Sequence, residues 1–168
     1  MHRTRTAVAL TAAATSILVI GIVSGCASAS AQGTTLASAK QQTIQLENTI
    51  ASFVPHDLVK STAVTQNSKV IFPCLGHEGE SYWPGTLTLG LKDGVDDDAV
   101  LTAIAANWTN KSGWSVFKST ATDGNASLSI KSAKGQSFTV QFVDGPVFSI
   151  SALSSCFSSS GLSGKSSY

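Results

Sequence analysis

The side chains best equipped for chemistry gather in one short run, "CLGHEGE", which holds Cys74, His77, Glu78 and Glu80. Cys-x-x-His is a zinc-ligand spacing, and Cys156 could add a distant sulfur. A complete second ligand pair is missing from the sequence. The competing expectation is a disulfide: with Cys26 set aside, Cys74 and Cys156 form an even pair, and exported thiols oxidise. That bond would close a loop of about 80 residues, for which chain entropy gives roughly 4.5 kcal/mol as an upper figure. The disulfide is the favoured reading, and no metal is expected. His56 lies between Pro55 and Asp57, a loop position suited to surface or capping use. The chain has no G-x-S-x-G, no P-loop and no H-E-x-x-H. "SVFK" fits S-x-x-K, and "KSG" is similar to K-T-G, but "WSVFKST" alternates like a strand and so puts Ser115 and Lys118 on opposite faces. No catalytic residue and no cofactor is expected.

Cys26 belongs to different chemistry. His2, Arg3 and Arg5 form a positive head, residues 7–23 an apolar core containing Thr11, Thr15 and Ser16, and Ser24 and Gly25 a small-residue end. This is the layout of a secretory signal rather than of a membrane span, which needs about 20 predominantly apolar residues. "VSGC" resembles the bacterial lipobox. That resemblance implies cleavage after Gly25, diacylglycerol on the Cys26 thiol, and a two-chain membrane anchor. The alternative is an ordinary secreted protein, cut in "CASASA" near Ala27 to Ala31. Residues 1–25 are thus assigned to the signal, 26–34 to a flexible tether, 35–157 to a single domain and 158–168 to a disordered tail.

Arg3 and Arg5 are the only arginines, so removing the signal takes the formal charge from +1 to about −1. A surface without guanidinium lacks the planar fork that grips phosphate, which argues against nucleic acid as a partner. Three Asn-x-Ser/Thr triplets, at Asn107, Asn110 and Asn125, are incidental beside a bacterial lipobox.

Two helices and about six strands must position whatever the domain presents. Leu36, Thr43, Leu46, Ile50 and Phe53 recur at helical spacing, and Pro55 should end that helix near Val54. Strands are expected in "KVIFPCLG" and in "GTLTLGLK", where Leu87, Leu89 and Leu91 alternate with Thr86, Thr88 and Gly90. Asp96, Asp97 and Asp98 suit a helix start better than a calcium loop, and Val100, Leu101, Ile104, Ala105 and Trp108 give the following helix its apolar face. Gly113 can close that helix. "WSVFKSTAT", "ASLSIKS", "SFTVQFV" and "VFSISAL", joined by "DGN", "AKGQ" and "DGP", read as a meander with one apolar face. The expected fold is α+β: an antiparallel sheet of about six strands with both helices packed on one face.

"ESYWPG" places Tyr82 and Trp83 beside a proline near a turn, making them the candidate ligand- or partner-contact residues. The alternative is that they seal the sheet edge next to the disulfide. The lipobox at Cys26, the helix before "FPCLG", "YWPGTLTLGL", "AANWTNKSGW" and the meander closing on Cys156 together resemble small actinobacterial, mycobacterial-type membrane lipoproteins. The resemblance spans almost the whole mature chain and carries no catalytic residue. It implies a lipid-anchored domain on the outer face of the cytoplasmic membrane, non-enzymatic, binding or supporting another envelope component. The other reading is a carrier for a small apolar or cell-wall ligand held between helices and sheet.

Overall fold

The structure is a computed structural model that describes residues 33–63, 70–121, 124–143 and 146–162. Cys26, the expected signal before it, most of the expected tether and residues 163–168 lie outside the described residues, as do parts of the "DGN" and "DGP" turns. Helix α1 (Leu36–Ala51) is followed by a single 3-10 turn and strand β1 (Val59–Ala63). Next come β2 (Phe72–Pro73), β3 (Glu80–Tyr82), β4 (Pro84–Leu91) and helix α2 (Asp97–Thr109). Strands β5 (Trp114–Thr120), β6 (Ala126–Ser132), β7 (Ser137–Val143), β8 (Val147–Leu153) and β9 (Phe157–Ser158) complete the chain. Among the described residues no helix is long and apolar enough to cross a membrane.

The fold is α+β, with two sheets. The larger has six antiparallel strands in the order β1-β4-β8-β7-β6-β5, and the smaller has β2-β3-β9. Strict alternation gives the larger sheet its inner face. Leu87, Leu89 and Leu91 of β4 are buried beside Phe148, Ile150 and Ala152 of β8, with Phe138, Val140 and Phe142 of β7 next. Both helices cover this face, α1 over β4 and β8, α2 over β5 to β7. Trp108 of α2 is fully buried and meets Trp114 edge-on, with ring centroids 4.5 Å apart. Each fully buried side chain of this size contributes roughly 1.5–3 kcal/mol.

Helix α2 begins where the carboxylates require it to. Asp96 is the N-cap and accepts a 2.9 Å hydrogen bond from the Ala99 N–H. Partial burial, then the neighbouring Asp96 and Asp98, hold the Asp97 carboxyl above its ordinary range. Asp96→Ala is expected to cost about 1 kcal/mol in urea denaturation, because that N–H then loses its partner.

Helix α1 differs from expectation in its end and its face. It stops at Ala51, not near Val54, because the chain tightens into 3-10 bonding: Phe53 donates to the Ile50 carbonyl and Val54 to that of Ala51. Its buried residues are Ala39, Thr43, Glu47 and Ile50, while Leu36 and Leu46 are only half-buried. The helix lies across both sheets, so small side chains near its start permit close approach to the smaller one.

Of the expected strand "KVIFPCLG", only Phe72 and Pro73 pair, and they do so in the smaller sheet. The sixth strand of the larger sheet is instead β1, along the edge of β4. The chain stays ordered past residue 157, against the expected tail: Ser158 pairs with Glu80, and Leu162 packs on Ala39, Trp83 and Phe157.

Candidate functional site

The smaller sheet has two unlike faces. Adjacent strand residues point to opposite sides, so Tyr82 and Trp83 cannot share one. Trp83 turns inward and is fully buried with Ala39 and Phe157, flanked by Leu36, Ile44, Ile71 and Leu162. The Trp83 backbone N–H donates to Ser154 Oγ at 2.9 Å, and the Lys40 ammonium lies 5.5 Å from the ring centroid. Trp83 is therefore a packing residue that closes the sheet edge beside the disulfide. Tyr82 faces out and stacks on Phe72, its partner across β2 and β3, with centroids 5.7 Å apart and planes inclined by 26°.

Next to this pair the chain makes a tight excursion. Cys74 donates its backbone N–H to the Glu80 carbonyl, His77 to that of Cys74, and Glu80 to that of His77. Gly76, at φ +77°, lets the turn close and sets Leu75 at its tip, 97% exposed. Phe72 is 46% exposed and Val70 50%. Cys74 is bonded to Cys156, 82 positions further along the sequence, with Cα atoms 6.3 Å apart. The far side of the turn is fixed by Ser159, whose N–H and hydroxyl both donate to the Gly79 carbonyl at 2.9 Å. The result is a stacked Phe72–Tyr82 pair at the surface, next to a disulfide-anchored turn that carries Leu75 exposed at its tip.

His77 and Glu80 face each other across the turn, Nδ1 to Oε2 at 3.5 Å, over an open depression of about 570 Å³ that Ser81 and Ser159 also line. The two side chains are 63% and 43% exposed. A pair so fully in water lacks the low-dielectric surroundings that give a His–carboxylate couple its leverage. Cys74 and Cys156 use their sulfurs on each other, and among the described residues no three His, Cys, Asp or Glu side chains converge as metal ligands. His56 opens the 3-10 turn after α1, exposed at the rim of a cleft of about 200 Å³. Ser115 and Lys118 lie on opposite faces of β5, and Lys118 reaches Thr102 Oγ1 on α2 at 3.5 Å.

One residue escaped the sequence reading altogether. Glu47 is fully buried in the middle of α1, and neither carboxylate oxygen has a hydrogen-bond partner among the described residues. It sits over Gly85 of β4, where an added Cβ would lie 2.7 Å from Glu47 Oε1 and 2.7 Å from Trp83 Cζ3. Burial pushes its carboxyl up to about 7. The available signal was its place between Thr43 and Ile50, four and three residues away on the apolar stripe.

Comparison with protein-family models, with curated proteins and with solved structures found no match for this chain.

Proposed function

We propose that this chain is a lipid-tethered docking domain of the extracytoplasmic membrane face, which makes and breaks no bonds and grips a protein of the cell envelope. The observation that carries the reading is the Phe72–Tyr82 stack at the surface beside the disulfide-anchored turn whose tip exposes Leu75. Glu78 and Glu80 border it, so the matching partner surface presents lysine or arginine beside an apolar side chain. The lipobox resemblance supports the tether, and residues 26–34 would keep the domain within about 30 Å of the bilayer. The resemblance to small actinobacterial lipoproteins points the same way.

A carrier needs room between helices and sheet. Ile104, Trp108, Phe138 and Phe148 fill that space, each fully buried. The cleft below the end of α1, about 200 Å³, is smaller than the ~300 Å³ from which ordinary ligand pockets begin. Around the larger sheet, these observations favour docking over carriage.

The test is a photo-crosslinking residue placed at Phe72 in intact cells, with one at Phe117 as control. Phe117 is 56% exposed on the edge strand β5 of the other sheet. A single discrete adduct from position 72, absent from position 117 and lost on adding Leu75→Ser, is expected. Equal labelling from both positions, or labelling indifferent to Leu75, would refute the docking surface. The Leu75→Ser change should move the thermal midpoint by no more than ~2 °C, since so exposed a side chain supports little packing.

A further inference from the structure

Helix α1 packs on both sheets, touching β4 and β8 of the larger and β9 of the smaller. Where it crosses β4 at Gly85 lies the Glu47 carboxyl, with no hydrogen-bond partner among the described residues. A buried ionised carboxylate without hydrogen bonds is among the costliest arrangements in a fold, whereas its neutral form costs far less. The groups facing Glu47 offer little compensation. Strands β4, β8 and β9 contain no ionisable side chain, and Lys40, the other ionisable residue of α1, holds its ammonium over the Trp83 ring. Gly85 is shaped to admit the carboxyl, since a Cβ there would strike Oε1.

We infer that α1 is a proton-latched strap: it stays seated across the two sheets while the Glu47 carboxyl is protonated, and lifts when that carboxyl ionises. Lifting it uncovers Trp83 and Phe157, because Ala39 and the half-buried Leu36 and Ile44 form their lid. The smaller sheet has strands of only two or three residues and relies on this lid for its inner face. Ionisation therefore loosens the very sheet that displays Phe72 and Tyr82, while β5 to β7, which lie under α2, keep their cover. Burial places the transition near neutrality, within reach of ordinary changes outside a cell. The inference stands on the packing around Glu47 and does not depend on the lipid tether or on the docking partner.

Native-state hydrogen exchange on the whole chain tests it, with rates corrected for the intrinsic effect of pH. Between about pH 5.5 and pH 8, amides of α1 should lose roughly thirtyfold in protection while staying less protected at every pH than those of β6 and β7, which open only with the whole domain. Glu47→Met, which keeps the volume and removes the acid, should hold α1 protected across the range. Glu47→Gln serves as a second variant and should likewise abolish the pH dependence. Equal slopes in wild type and Glu47→Met would overturn the strap. So would equal protection of α1, β6 and β7 at every pH, since that would be global rather than local opening.

Discussion

Replacing Cys74 and Cys156 together by serine is expected to cost the domain about 2–4 kcal/mol, seen as a fall of ~10 °C in thermal midpoint. The disulfide joins residues 82 apart, a loop whose closure entropy is roughly 4.5 kcal/mol in the chain-entropy account. Set against the ~5–15 kcal/mol of a typical domain, that is a large fraction. The loss should be uneven. The larger sheet has ladders of up to seven paired residues, as between β7 and β8, whereas β2 with β3, and β3 with β9, pair two each. Reduction should therefore release Phe72, Leu75 and Tyr82 before the meander melts. Urea denaturation with and without reductant, together with exchange at β2 and β9, measures both parts. An unchanged midpoint after reduction would mean that the short ladders and the Trp83–Phe157 packing suffice without the staple.

Stability should fall, not rise, as pH is raised from about 4.5 to about 7. The Glu47 carboxyl is held up to about 7 in the folded protein by burial, against an ordinary value of 4.5. Between those two pH values the folded state keeps a proton that the unfolded chain has released, so stability decreases with pH by the linkage relation. Below pH 4.5 both states are protonated and the full stability is present; above about pH 7 both are ionised and the loss is complete. The whole change is worth about 3 kcal/mol for a shift of this size. Asp97, also raised, adds to the slope with the same sign. Glu47→Met should flatten the profile and stabilise the domain at pH 8 by about 2–4 kcal/mol, since replacing a buried unpaired acid by an apolar chain of similar volume removes its desolvation cost. Urea midpoints across the pH range, for wild type and variant, provide the measurement. A wild-type profile flat between pH 5 and pH 8 would contradict it.

The elements that could be read in the sequence are those whose burial repeats. Leu87, Leu89 and Leu91 mark β4 because each second residue is inside. Asp96 marks the start of α2 because a cap side chain has one job there. β1 was illegible for the opposite reason: it is an edge strand, and Lys60, Ser61 and Thr62 are exposed, leaving no alternation. β3 and β9 are too short to show a period, and what orders Ser158 and Ser159 is backbone bonding to the Gly79–Ser81 segment, which side-chain patterns do not report.

The site was half legible. Tyr82 and Trp83 were singled out together as aromatics beside a proline, yet consecutive residues of an extended chain face opposite ways, and only Tyr82 joins the outer surface. Its true companion, Phe72, lies across the sheet, and Leu75 owes its exposure to a turn defined by Gly76 and the disulfide. Glu47 was hidden because an acid within an amphipathic helix is ordinarily on the wet side; only the space over Gly85 shows otherwise.

Intact-mass spectrometry on the protein extracted from cell membranes tests the proposed tether and the disulfide together. A chain that begins at Cys26 with a diacylglycerol on its thiol is expected, and a digest in which the Cys74 and Cys156 peptides remain joined. An acyl-free chain with Cys74 and Cys156 both open to alkylation would contradict both.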